Sequence, residues 1–99
     1  RPACNPDDKK DLVQPRPLFE PAAPYPDAAR NEKREGQVLL YADAGTDGHL
    51  RGLFIIDSPG LDFDASVLKT VSTWRMRPAT CKGVPVEAET LIRVSFRAW

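Results

Sequence analysis

The 99-residue sequence predicts an α+β fold: a two-layer domain with a three-stranded antiparallel sheet and two helices packed on one face. Three observations support this prediction. Residues 36–58 contain two apolar runs joined by Asp47-Gly48, which is a strong hairpin turn signal. Residues 61–74 carry apolar side chains at helical spacing. The C-terminal segment alternates apolar and polar residues, as a half-buried strand does. A preceding short helix completes the order α-β-β-α-β.

The N-terminal 24 residues are rich in proline and predict a linker or strap, with the domain itself covering residues 25–99. Because proline fixes φ and lacks an N–H, "VQPRPLFEPAAP" is typical of extended, polyproline-like chain. Its apolar residues Leu12, Val13, Leu18 and Phe19 are numerous enough for part of the segment to lie against the domain.

The first helix is predicted within "YPDAARNEKREG" and is short. Pro26 suits the first helical position, Asp27 suits the positive helix N-terminus, and Gly36 suits the stop. The strand "GQVLLYADA" follows, with apolar residues on both faces between Val38 and Tyr41.

The second helix is predicted to begin after Pro59-Gly60, with Asp62 or Asp64 as its cap. Its apolar stripe ends at Trp74, and Pro78 excludes a longer helix, so "RMRPA" is a short extended segment in which Arg75 and Arg77 lie on an exposed side. The predicted core takes residues from the first strand, this helix and the turn after it: Val38, Leu40, Phe63, Val67, Val71, Trp74 and Pro78.

The last strand alternates cleanly, with Thr90, Ile92, Val94 and Phe96 on one side. Leu91 interrupts the polar side. No further strand is predicted beyond it, so its outer edge has unpaired N–H and C=O groups. Two interpretations remain open: Arg93 and Arg97 protect the edge, or a partner peptide adds a strand there.

Composition and charge exclude several classes of function. A net charge of zero removes the electrostatic argument for nucleic acid binding, and no window is long and apolar enough to span a membrane. The first residue is Arg1 rather than Met, which suggests a mature or trimmed fragment.

Residues capable of catalysis are few, and we expect no enzyme, cofactor, metal site or small-molecule substrate. His49 is the only histidine and follows a turn glycine, where a solvated loop residue is the usual interpretation. "DAGTDGHLRGLF" fits a calcium loop poorly because Phe54 replaces the required bidentate Glu. Asp57, Asp62 and Asp64 are explained by a strand end and a helix start.

Cys4 and Cys81 are the only cysteines. They are either two free thiols or one disulfide closing a long loop, and the second interpretation requires an oxidising compartment.

Several short motifs resemble, in order and spacing, the C-terminal domain of the TonB family. They are Tyr25-Pro26, Glu35-Gly36, Asp47-Gly48, "SPGLD" at 58–62, "WRMRPA" at 74–79 and "GVPV" at 83–86. Two features depart from the family pattern: Met76 stands where an aromatic is usual, and "AAPYP" replaces Gln-Pro-x-Tyr-Pro.

The resemblance implies a periplasmic domain of an energy transducer, tethered to the inner membrane and coupled there, through segments outside this chain, to a proton-driven motor complex. Its partner would be the TonB box peptide of an outer-membrane transporter. Strand addition would use Glu89, Thr90, Leu91, Ile92, Arg93, Val94, Ser95 and Phe96, with Tyr25, Pro26 and Arg97 as possible further contacts. The oxidising periplasm suits a Cys4–Cys81 disulfide. An adaptor in another envelope assembly, such as a secretion system, is the alternative.

Overall fold

The structure, a computed structural model, describes residues 10–97. Within this range, two helices and eight strands follow one another along the chain. They are β1 (Leu12–Val13), β2 (Arg16–Phe19), α1 (Asp27–Asn31), β3 (Gly36–Ala44), β4 (Leu50–Asp57), α2 (Leu61–Val71), β5 (Arg75–Arg77), β6 (Ala79–Cys81), β7 (Val84–Val86) and β8 (Ala88–Phe96).

The main sheet has the order β4-β3-β8, with both neighbouring pairs antiparallel. The predicted hairpin between β3 and β4 is confirmed: Gly48 N–H donates to the Gly45 carbonyl at 3.0 Å, and Gly45 N–H to the His49 carbonyl at 2.9 Å. Gly48 has φ +85°, a backbone conformation that favours glycine. The α+β class and the antiparallel sheet agree with the sequence prediction.

The core lies between the main sheet and the helices. Inward side chains of β3, including Val38 and Leu40, and the α2 stripe Phe63, Val67 and Val71 have no exposed surface. Residues spaced three and four apart on a helix share one face, which explains this stripe. Ala29 of α1 joins the same cluster, so both helices cover the inner face of the sheet.

Three aromatic rings close one end of this core. The ring centroids of Phe63 and Phe96 are 4.8 Å apart. The Tyr25 centroid lies 5.9 Å from that of Phe63 and 5.5 Å from that of Phe96, with edge-on geometry in both pairs. Such tilted and edge-on pairs stabilise beyond simple burial. The Tyr25 hydroxyl donates to the Arg34 carbonyl, which fixes the chain after α1.

One local prediction is wrong, and two residues predicted as core are less buried than expected. Neither Asp62 nor Asp64 caps α2: the capping position is Gly60, which makes no side-chain capping bond. Asp62 instead forms an ion pair with Arg34, whose guanidinium Nη2 lies 2.6 Å from Asp62 Oδ2. Trp74, predicted as core, packs against the core cluster but is half-buried, and Pro78 is also half-buried.

The described part of the proline-rich segment, which we call the strap (residues 10–24), contains strands that the composition did not predict. β1 pairs with β6, which also pairs with β7, and β2 pairs with β5, forming two small antiparallel sheets. Trp74 Nε1 donates to the Pro21 carbonyl at 3.0 Å, and Ser66 Oγ to the Pro24 carbonyl at 2.5 Å. The strap is therefore held against the domain by backbone ladders and by side-chain donors.

Cys81 lies in β6, packed with Ala79 and Val86 in a second small core cluster that Leu12 covers. It is not a free thiol. Cys4 lies outside the described residues, so its disulfide with Cys81 stays a prediction.

Candidate functional site

The candidate site is the outer edge of β8. Among the described strands, β8 pairs with β3 alone, in continuous register from Gly36 opposite Phe96 to Ala44 opposite Ala88. Every second N–H and C=O of an edge strand points away from its only neighbour. This edge can therefore accept a further strand by main-chain hydrogen bonding.

A groove of about 290 Å³ follows this edge along Thr90–Arg93. It is also lined by the strap residues Pro15, Pro17 and Glu20, here called the strap wall, and by Trp74 and Met76. The two wall prolines have no N–H to offer. An extended chain in the groove would thus find its main-chain partners on β8, with Glu20 and Arg93 available for charged side chains.

The side chains of β8 alternate between the core and solvent, as predicted. Ile92 and Phe96 are buried, whereas Glu89, Leu91 and Arg93 are exposed on the outer face of the sheet. The inward residues fix the strand in the core, so its register is stable. Thr90 and Val94 are half-buried on the inner side, and Ser95 is exposed.

The other residues predicted for partner contact lie near the C-terminal end of β8. The Tyr25 ring packs against Phe96, and its hydroxyl is already bonded to Arg34. Pro26 is half-buried before α1 and, with Tyr25, lines a separate groove of about 670 Å³ between the strap and α2. Arg97 is exposed beside Gln37 and Ser95.

An ion pair joins Arg34, which follows α1, to Asp62 at the start of α2. The hydrogen bond from Arg34 lowers the pKa of Asp62 below its usual range and in turn raises the pKa of Arg34. Arg34 also bonds Glu32 Oε1 at 2.6 Å and lies over the Phe63 ring, 5.5 Å from its centroid. A second pair, Arg51 with Asp47, lowers the pKa of Asp47 at the hairpin turn.

Nothing in the described residues gathers into a reactive centre. His49 is half-buried, and an isolated bridge pairs its backbone with that of Arg75. No group of three or more His, Cys, Asp or Glu side chains within residues 10–97 could hold a metal ion. No helix in the same range is long and apolar enough to cross a membrane.

The sequence did not reveal one feature of the site and one feature of the neighbouring sheet face. The strap wall was missed because a segment with this many prolines shows no strand period. The exposed apolar residues Tyr41, Phe54 and Leu91 were missed as a group because only the register of the sheet brings them together. Leu91, an apolar residue on the polar side of an alternating strand, was the available signal.

The fold is a small α+β domain in which β8, among the described strands, forms one edge of the main sheet. The family described as "Gram-negative bacterial TonB protein C-terminal" matches residues 21–98. The chain therefore belongs to the TonB C-terminal domain family. The sequence resemblance is confirmed, and the family is of a periplasmic, energy-transducing type.

Among solved structures, the chain is similar to the solution NMR structure of the Pseudomonas aeruginosa TonB C-terminal domain. The two share 25% identity, with a TM-score of 0.70, over 88% of this chain and 86% of the other. No curated protein sequence matches significantly.

Proposed function

We propose that this domain binds the TonB box of an outer-membrane transporter by strand addition to β8. The observation that carries the proposal is the groove along Thr90–Arg93, where an edge strand with one neighbour faces a wall of prolines. The binding residues are those from Glu89 to Phe96, with Arg97 beside them. Tyr25 and Pro26 contribute at the end of the strand, chiefly through the packing of Tyr25 on Phe96.

Strand addition explains why the site consists mainly of backbone. Main-chain hydrogen bonds provide affinity, and pockets for alternate side chains provide specificity. The exposed side chains of β8 lie on the outer face, where Arg93 attracts an acidic residue of the peptide. On the strap wall, Glu20 favours a basic residue. Affinity is expected to be modest because few side chains take part.

The proposed role is to transmit energy from the inner membrane to the transporter. The proline-rich residues before the domain form the end of a periplasmic spacer, and the tether and the contacts with the motor complex belong to segments outside this chain. The periplasm is oxidising, which supports the predicted bond between Cys4 and Cys81.

The test is a titration of the ¹⁵N-labelled domain with a synthetic TonB box peptide, followed through backbone amide shifts. We expect the largest changes in amide shift at Thr90–Val94 and smaller changes at the strap residues next to Pro17. Two peptides with N-methyl groups at even or at odd positions serve as matched controls. Only the pattern that faces β8 should abolish binding, since methylation removes the donors that pair with the strand.

Shifts confined to α1, or equal loss of binding with both methylated peptides, would contradict strand addition. Failure of every transporter peptide, together with capture of a peptide from a secretion component at the same edge, would instead favour the adaptor role.

A further inference from the structure

The outer face of the main sheet carries an ordered pattern of side chains, and peptide binding at the β8 edge uses only those that β8 contributes. The registers of β3 with β4 and β8 align three rows across the sheet. In β4-β3-β8 order, the rows are Asp57-Leu39-Arg93, Phe54-Tyr41-Leu91 and Arg51-Asp43-Glu89.

The middle row is apolar and exposed. Phe54 is 67% exposed, Leu91 49% and Tyr41 39%. Leu39, in the neighbouring row, extends this patch and is half-buried. Isolated exposed apolar residues are common on protein surfaces, but a contiguous row across three strands indicates an interaction surface.

The two outer rows carry charges of opposite sign at their two ends. The first row has an acid on β4 and a base on β8, namely Asp57 and Arg93. The third row is reversed, with Arg51 on β4 and Glu89 on β8. Each end of each row therefore has its complement at the other end of the same row.

We infer that this face binds a second copy of the chain, in a two-fold dimer whose axis runs parallel to β3. Such an axis places β4 of one copy over β8 of the other without shifting residues along the strand. Asp57 then meets Arg93, Arg51 meets Glu89, and Phe54 meets Leu91, each twice. Tyr41 and Leu39 meet their own counterparts at the axis. Apart from Asp43, which meets its own counterpart, the face is self-complementary in charge and in apolar surface, as an isologous interface requires.

The one remaining charge in the pattern, Asp43, is compatible with this arrangement. Asp43 lies near the axis and meets its counterpart, but its register partner Arg51 is a base on the adjacent strand. Arg51 bonds both carboxylate oxygens of Asp47, at 3.1 Å and 2.6 Å. A guanidinium has five N–H donors, so Arg51 retains capacity for a partner Glu89.

The size of the face predicts a weak dimer. Strands of nine residues, such as β3 and β8, span about 30 Å, and three strands are about 14 Å wide. The buried area is therefore about 400 Å² per copy, below the roughly 800 Å² of a standard interface. Face-to-face packing leaves the outer edge of β8 open, so main-chain pairing with the peptide stays available in the dimer, whereas Arg93 can serve either the peptide or the second copy.

The experiment exploits the pairing of Asp57 with Arg93. In Arg93→Asp both ends of the first row are acidic, and in Asp57→Arg both are basic. Each variant alone should associate at least tenfold more weakly than the wild type, because like charges face each other twice. An equimolar mixture of the two should associate as the wild type does, since every contact again joins opposite charges. The double variant should also associate as the wild type does.

Association of the full 99-residue chain is measured by sedimentation and by concentration-dependent amide shifts up to about millimolar protein. Added salt should weaken it because the charged contacts are exposed to solvent. Arg30→Asp, on the exposed surface of α1, is the control and should leave association unchanged. Circular dichroism verifies that each variant is folded.

Three results would overturn the inference. The first is a wild-type chain that stays monomeric at millimolar concentration. The second is a mixture of Arg93→Asp with Asp57→Arg that associates no better than either alone. The third is a dimer that loses nothing on Asp57→Arg, which would indicate pairing of β8 edges, because β4 lies at the opposite edge of the sheet.

Discussion

Two turn glycines, Gly48 and Gly83, have nearly the same backbone torsion, with φ of +85° and +80°. Their surroundings differ. A Cβ at Gly48 would lie 2.6 Å from the Met76 carbonyl oxygen, whereas a Cβ at Gly83 would meet nothing within 4 Å. The Gly48 carbonyl also accepts the Met76 N–H at 2.8 Å, so the hairpin turn contacts the start of β5 closely.

Replacing each of these glycines by alanine separates the free-energy cost of backbone strain from the cost of the close contact with Met76. We expect Gly83→Ala to lower the free energy of unfolding by about 1–2 kcal/mol, since a left-handed residue with a Cβ costs that much. Gly48→Ala should cost about 1–2 kcal/mol more, because the Met76 carbonyl must move and its hydrogen bond weakens. Urea unfolding of both variants measures the difference. Equal losses would show that the hairpin turn and β5 are not in contact.

The ion pair between Arg34 and Asp62 predicts a pH dependence of stability. The folded state holds the pKa of Asp62 below its usual value, so the pair stabilises the fold fully above the unfolded pKa of about 3.9. This stabilisation is lost as the pH falls through the lower, folded pKa. The Tm gap between wild type and Asp62→Asn should thus be largest near neutral pH and narrow in acid.

Both partners of the pair are partly exposed, so the gap should also shrink with added salt. Glu20→Gln, an exposed change on the strap, is the control and should show a smaller gap. A gap for Asp62→Asn that is constant from neutral pH into acid would contradict a role for the charge.

At the scale of elements, the strap is attached to the domain at separate points. Its two strands form short ladders with β6 and β5, and Trp74 and Ser66 donate to strap carbonyls. Trp74 is half-buried against the core, so one side chain connects the core to the strap. Each attachment involves few bonds, which places the strap among the segments that open before the whole domain unfolds.

Trp74→Phe keeps an aromatic ring and removes the donor to Pro21. We expect a loss of about 0.5–1.5 kcal/mol in local strap stability, equivalent to roughly two- to tenfold faster amide exchange in β2 and β5. Exchange in β3 should change little. Ser72→Ala, which removes a donor to the Lys69 carbonyl within α2, is the control. Equal acceleration in β2 and β3 would show that the strap opens only with global unfolding.

The sequence predicted those helices and strands in which buried side chains recur at a regular spacing. The stripe Phe63-Val67-Val71 and the alternation of β8 each record one buried face, so local spacing was sufficient. The cap of α2 was wrongly assigned because Asp62 has a competing partner, Arg34, 28 residues earlier in the chain. β1, β2 and β5–β7 have two to four residues each, too few to show a period. The edge at β8 was predictable, but its groove was not, since the strap completes it.

At the scale of the whole molecule, the main core does not depend on the first strands. Its cluster and the half-buried residues packed against it run from Ala23 to Phe96. Of the residues in β1 and β2, only Leu12 packs against a core cluster of the described residues, and that is the second cluster, around Ala79 and Val86. The family match likewise begins at residue 21.

Deletion of residues 1–19 tests this independence. We expect a folded domain with a cooperative melt and a free energy of unfolding lower by about 1–3 kcal/mol, from the lost packing of Leu12 and the lost ladders. Reductant in both samples keeps a Cys4–Cys81 bond from contributing to the difference. Loss of dispersed amide shifts in β3 and α2 would show instead that the strap is essential to the core.

The position of the strap in the chain has a mechanical consequence. When the predicted Cys4–Cys81 bond is absent, tension applied to the chain before residue 10 reaches the main sheet through residues 10–24, and their short ladders with β5 and β6 bear the load first. If those ladders open, the freed segment adds up to about 50 Å of reach while β3, β4, β8 and α2 keep their fold. The released strap would then lengthen the connection between the point where tension is applied and a peptide held at β8. Little force would act on the peptide contact until the strap is fully extended.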